Sequence, residues 1–236
     1  MLSYETGDTM SSKSTEAFSK GVNTSTKNLG LFVPSLAPIV VQLIFLILAY
    51  VVFPERIGFY PYFYVEVPNP WLIWGGYFIA SIIWFIAGCM IVDMANDIIN
   101  GRPMNMNKSM KVVTGRLGTL FVAAIISAIF FLLFFLIPVA LFIIAIAIIE
   151  EKDAIESTKR SFDFVVKNLG EVIVFVIIVI VVAIILGIGF AFIPVVGAYL
   201  GAIVSWILNV IFTVAAVYFY LSLRQPTPPP PPPPPP

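Results

Sequence analysis

The sequence predicts an all-α polytopic membrane protein: a bundle of six transmembrane helices in three hairpins, with amphipathic interfacial helices on the cytoplasmic side. Three observations carry that expectation. Hydrophobic residues make up 60% of the chain and charged residues 11%, against roughly 45–50% and 25% in soluble domains. The apolar residues gather into long runs free of Asp, Glu, Lys and Arg, separated by polar inserts. The inserts hold the basic residues, and a six-span threading leaves Arg56 alone of the thirteen Lys and Arg on the outside, as the positive-inside bias of membrane proteins requires.

Residues 1–28 form a Ser/Thr-rich segment with no signal-peptide core, and they are expected to stay in the cytoplasm. Phe18 and Val22 allow a short surface helix over Thr15 to Val22, with disorder as the alternative. The membrane domain is expected over 29–224. Its first span, 31–53, is long enough to cross about 30 Å of hydrocarbon. Pro54 to Pro70 crowds Phe59, Tyr60, Tyr62, Phe63 and Tyr64 between prolines, in the manner of an interfacial aromatic belt. The second span is 71–92. After it, Asp93 to Gly118 is a polar insert broken at Gly101-Arg102-Pro103, in which Met106, Met110, Val113 and Leu117 make an apolar face at helical spacing. Such a face rests on lipid or, alternatively, takes a peptide.

Thr119 to Ile149 is too long for one upright span, since a single helix there would extend about 46 Å. A single span would also put Lys152, Lys159, Arg160 and Lys167 outside. A hairpin turning near Pro138 avoids this and gives spans 119–136 and 138–149. The fifth and sixth spans are 172–193 and 197–221, joined by a turn at Pro194. Both termini are then cytoplasmic. The tail, 225–236, is almost wholly proline and forms an extended polyproline helix. It is read either as a ligand for a polyproline-binding protein or as a low-complexity end without a reader.

Between the fourth and fifth spans, Glu150 to Gly170 reads as an amphipathic helix on the membrane. Asp153 and Glu156 cap its start, Ile155, Phe162, Val165, Val166 and Leu169 share a face, and Glu156–Arg160 and Asp163–Lys167 pair on the other. Its ending recurs. Lys167-Asn168-Leu169-Gly170 matches Lys27-Asn28-Leu29-Gly30, and Arg116-Leu117-Gly118 stands in the same place before the third span. Three similar lead-ins point to an internal triplication, although basic residues beside Leu and Gly are common wherever a helix enters a membrane.

Chemistry has little to be built from. There is no His, and the single Cys, Cys89, lies inside a span, so metal, cofactor and nucleophile–His arrangements are not expected. Zero net charge gives no reason to expect nucleic acid. Asp93, Asp97, Glu150, Glu151 and Asp153 gather at the inner surface, where they either hold a metal against a lipid phosphate or act as caps and ion-pair partners. On the sixth span Gly197, Gly201, Ser205, Asn209 and Thr213 recur every four residues and form one small, polar face. That face is read as close helix packing, with Asn209 hydrogen-bonded across the bundle, or as a ligand stripe.

Ala154-Ile155, the spaced Ser161, and Lys167-Asn168, after an apolar run ending in Glu150 and Glu151, resemble the membrane-domain families grouped around bacterial glycerophosphoryl diester phosphodiesterases. Phe162 belongs to the same candidate interfacial motif, and Asp93 to Gly101 is similar to the middle loop of those families. The resemblance covers roughly Lys27 to Arg224. It implies a six-helix membrane platform without the separate soluble domain that carries the phosphodiesterase activity. The expected function is therefore a non-enzymatic platform that binds membrane lipids, a protein partner or a second copy of itself. A small-molecule or lipid transporter using the polar stripe is the alternative.

Overall fold

A long apolar stretch must satisfy its backbone N–H and C=O groups within the segment when water is excluded, and the apolar runs here are helical. The computed structural model describes residues 13–59, 63–193 and 197–224. Expectations for 1–12, 60–62, Pro194 and the tail 225–236 lie outside the described residues. In chain order the elements are α1 (Lys13–Lys27), α2 (Leu36–Ile47), strands β1 (Glu55–Phe59) and β2 (Phe63–Val67), α3 (Pro70–Ile99), α4 (Met106–Gly115), α5 (Leu117–Leu132), α6 (Ile137–Ile149), α7 (Ala154–Lys167), α8 (Leu169–Ala191) and α9 (Gly197–Leu223). Leu29–Val52, Pro70–Ile99, Leu169–Phe190 and Ile203–Leu223 are long and apolar enough to cross a membrane, and α4 with α5, bent by 77°, would make a fifth. At 16 and 13 residues, α5 and α6 alone reach only about 24 and 20 Å.

Four expectations change. Pro54 to Pro70 contains an antiparallel ladder, with Glu55 opposite Val67 and Phe59 opposite Phe63, because its aromatic and β-branched residues suit a strand as well as an interface. The second helix does not stop at Val92. It runs to Ile99 and carries Asp93 and Asp97 inward, where both are buried. Residues 119–149 do break, but Pro138 opens α6 instead of forming the turn, since a proline in a first helical turn forfeits no hydrogen bond; the chain reverses at Leu133 and a 3-10 turn over Phe134–Leu136. Finally, α1 is longer than Thr15 to Val22 and is docked, with Ser14, Ala17, Gly21 and Ser25 buried.

The helices pack in pairs, α2 on α3, α5 on α6 and α8 on α9, while α3, α6 and α9 also touch one another. Each pair carries one amphipathic helix: α4 lies on α3, α7 on α6 and α5, and α1 on α9 and α8. The first helix in sequence thus completes the last pair.

The recurring lead-ins acquire a structural register. Aligned on Lys-Asn-Leu-Gly, the buried residues Ser14, Ala17, Gly21 and Ser25 of α1 fall on Ala154, Ser157, Ser161 and Val165 of α7, all buried. Ser109 and Val113 of α4, also buried, fall on Ser161 and Val165. Asn28 and Asn168 each donate from Nδ2 to the carbonyl four residues back, at 2.8 Å in both cases. Arg116 occupies the third such junction, with a φ of −124° beside −125° at Asn28 and −118° at Asn168.

Two apolar clusters fill the interior. One joins Met90, Met94, Val113, Leu120, Ile148 and Val214. The other stacks Phe142, Phe164, Phe175 and Phe219, with Phe175 and Phe219 centroids 4.7 Å apart.

Candidate functional site: a polar cavity where three helices end

The last two turns of α3 place Asp93 and Asp97 on one side, four residues apart. Asn100 and Gly101 then end the helix. Gly101 takes φ +72°, and its N–H bonds Ile98 O at 3.0 Å while Arg102 N–H bonds Asp97 O at 2.8 Å. This pair of bonds is the Schellman pattern that a left-handed glycine permits. It folds Arg102 back so that Nε donates to Asp97 Oδ1 at 2.7 Å. Asn105 then caps α4, accepting from Lys108 N at 3.0 Å. The cap sets Lys108 over Asp97, with Nζ to Oδ2 at 2.6 Å, and Ser109 over Asp93, with Oγ to Oδ2 at 2.6 Å. Asp97 is 1% exposed, whereas Arg102 and Lys108 are 53% and 48% exposed. One buried carboxylate thus holds two half-exposed cations in place.

The end of α6 forms the other wall. Arg116 donates from its two terminal nitrogens to Ala147 O at 2.6 Å, a carbonyl that the C-terminus of α6 leaves open, and to Lys152 O at 2.7 Å in the link to α7. Glu150 accepts from the Tyr220 hydroxyl and, at 3.1 Å, from Arg160 Nε. That contact holds the guanidinium pKa above its usual value. Glu151 follows in a left-handed conformation, φ 54°, a place more often filled by glycine and strained for any other residue.

Between these walls is a cavity of about 220 Å³. Asp93 and Asn96 of α3 and its cap Asn100 line it, with Arg102, Lys108 and Val112, then Ile148 and Ile149 of α6, Glu151, and Arg224 just beyond α9. The site therefore lies where α3, α6 and α9 all finish.

Of the five carboxylates singled out in the sequence, Asp93 and Glu151 line the cavity, and four of the five are engaged separately. Asp97 holds two cations, Asp93 accepts from Ser109, Glu150 from Tyr220 and Arg160, and Asp153 caps α7 through Glu156 N at 2.8 Å. Among the described residues no three His, Cys, Asp or Glu side chains are placed to share a metal ion.

The interfacial motif divides between two roles. Ala154 and Ser161 are buried, and Ser161 Oγ donates to Val139 O at 2.6 Å, tying α7 to α6. Phe162 and Lys167 are exposed, and Asn168 closes the helix. The expected apolar face is split as well, because Val165 is buried while Ile155, Phe162, Val166 and Leu169 are exposed. Instead of Glu156–Arg160 and Asp163–Lys167, the ion pairs found are Lys152–Glu156 at 2.6 Å and Arg160–Glu150. Glu150, fixed by Tyr220, is the nearer anchor for Arg160.

The stripe on α9 is not one continuous packing seam. A Cβ on Gly201 would lie 3.3 Å from Phe190 Cβ, so α8 does approach closely there. Ser205 and Asn209 are exposed, and Thr213 Oγ1 bonds back to Asn209 O at 2.8 Å. Gly197 keeps its place in the helix, but its surroundings are outside the described residues. The hydrogen bond expected from Asn209 across the bundle is replaced by exposure, because the buried face of α9 is the one through Val210, Val214 and Val217.

Sequence reasoning missed the grouping of Arg102 and Lys108 with Arg224, which is far from both in the chain and meets them only through the Gly101 turn and the end of α9. It also passed over Gln42, the single amide in the first apolar run, whose Oε1 and Nε2 have no partner among the described residues. No protein-family model, curated protein or solved structure matches the chain.

Proposed function

We propose that the protein is a non-enzymatic, multi-pass membrane platform that binds lipid or a protein partner. In this reading three helix hairpins enter the cell membrane, both termini are cytoplasmic, and α1, α4 and α7 lie along the cytoplasmic face. The middle hairpin, α5 with α6, falls short of the full hydrocarbon thickness of about 30 Å, and α6 is covered by protein along most of its length.

The observation that carries the reading is the three-way division of α7. Ala154, Ser157, Ser161 and Val165 pack inward, Ile155, Phe162 and Val166 form an exposed apolar flank, and Glu156, Asp163 and Lys167 form a charged one. An apolar flank set between protein and charge suits a helix lying at a bilayer interface, with its greasy side in the acyl boundary and its charges in water. Met106 and Met110 of α4 are exposed in the same fashion. The transporter alternative draws its polar atoms from Ser205 and Asn209, which are exposed on α9 instead of lining the cavity.

The test is Phe162→Asp against Lys159→Ala, read as the detergent-solubilised melting temperature and the fraction retained in membranes. A charge in the interface should lower both, while one surface lysine is worth only about 1 kcal/mol near a membrane. Equal tolerance of the two changes would place this flank in water and defeat the proposal.

A further inference from the structure

We propose that the cavity where α3, α6 and α9 end binds a phosphate ester. Arg102, Lys108 and Arg224 would hold the phosphate, and Glu151 the hydroxyl or ammonium of the esterified alcohol. The argument begins with unused donors. Asp97 is fully buried and both its oxygens are occupied, yet it uses only Nε of Arg102 and one proton of Lys108. The terminal nitrogens of Arg102 and the other ammonium protons of Lys108 make no bond among the described residues, both side chains line the cavity, and the guanidinium fork matches two oxygens of a phosphate. Arg224 adds a third cation that makes no ion pair among the described residues.

Charge narrows the ligand. The three cations on the wall are matched by Asp93 and Glu151 on the same wall and by Asp97, which pairs with two of them, so the charges balance before anything binds. A phosphate dianion would shift that balance by two charges and a phosphodiester carrying only a hydroxyl by one, whereas a phosphodiester carrying an ammonium is zwitterionic and leaves it unchanged. The ends of α3, α6 and α9 turn the negative poles of three helix dipoles toward the same place, which favours a cationic group beside Glu151 and leaves the phosphate to the side of Arg102 and Lys108, whose charges must offset those poles. A cavity of about 220 Å³ is smaller than the roughly 300–1,000 Å³ of pockets for drug-sized ligands, so the occupant is headgroup-sized. The left-handed Glu151 puts a charged side chain on the wall at a backbone position where glycine would be unstrained.

The ligand is either the headgroup of an inner-leaflet phospholipid or a soluble phosphodiester of the same chemistry, and the first source rests on the membrane reading above. The full chain in detergent would be titrated with phosphatidylethanolamine and with phosphate-free diacylglycerol, followed by native mass spectrometry. Glycerophosphoethanolamine and inorganic phosphate would be titrated by calorimetry. Binding of phosphatidylethanolamine above diacylglycerol supports a lipid headgroup, and binding of glycerophosphoethanolamine above inorganic phosphate supports a soluble ester. In either case the Lys108→Gln, Arg224→Gln double variant should bind about tenfold more weakly or worse. Arg224→Gln alone, which removes no ion pair, should weaken binding with the melting temperature unchanged, separating lost affinity from lost fold. No preference for either phosphodiester over its control, or unaltered binding by the double variant, overturns the proposal. Resistance of the wild type to alkaline carbonate extraction is scored separately. The site can therefore fail while membrane integration stands, and the soluble titration still tests the site if integration fails.

Discussion

Asp97 shows how much of the site depends on one buried side chain. A carboxylate at 1% exposure is tolerable only with its charge compensated, and Arg102 and Lys108 supply two charge-assisted bonds. Because both cations are half-exposed, their loss of a partner is softened by water. We expect Asp97→Asn to cost about 1–3 kcal/mol, measured as the shift of the denaturation midpoint in detergent, and to weaken phosphodiester binding with it. An unchanged midpoint would mean that the pair contributes nothing to stability. The charged residues of this cluster were legible in the sequence as an insert rich in Asp, Arg and Lys. Their pairing was not, because it follows from two local devices, the left-handed Gly101 that returns Arg102 to Asp97 and the Asn105 cap that orients Lys108. Tyr220 reaching Glu150 across seventy residues has no local signal at all.

At the scale of the element, α1 is the instructive case. A search for large apolar residues at helical spacing finds Phe18 and Val22, which are half-buried at the edge, Phe18 against Phe212, whereas the centre of the docked face is Ser14, Ala17, Gly21 and Ser25, residues of small volume. A Cβ built on Gly21 would lie 2.6 Å from Ala215 Cβ, so the two backbones approach as close as glycine allows. Ser14 Oγ bonds the Glu171 carboxylate at 2.8 Å, and Tyr218 donates to Glu16 at 2.8 Å. Gly21→Leu should therefore undock α1, lower stability by about 1–3 kcal/mol or more, and open residues 13–27 to limited proteolysis. Gly88→Ala is the control, since nothing lies within 4 Å of its added Cβ and alanine favours a helix. Similar protease resistance in both variants would show that α1 is not held by this contact. The α7 helix was more legible, because its cap and its apolar flank are both written in side chains large enough to count.

For the whole molecule, the proposed six-span threading draws its support from where the inner helices end. Asp93 and Asn96 of α3 with its cap Asn100, Ile148 and Ile149 of α6, and Arg224 after α9 line one cavity, so these three helices run parallel and finish together. Between the end of α3 and the start of α6 the chain must return to the far side, and α5, packed along α6, makes that passage. The same geometry collects α1, α4 and α7 at one end, which supports keeping their basic residues on a common side. If α4, α5 and α6 instead made a single crossing, α7 would stand on the opposite face from α4, away from the ends of α3 and α9. In a Cys89→Ser background, a cysteine at Lys159 should thus be protected from an impermeant thiol reagent in intact cells and become reactive after permeabilisation. A cysteine at Glu66, in the exposed β-hairpin, should react in intact cells. Equal labelling of the two positions before permeabilisation would put α7 outside and reduce the protein to an odd number of crossings.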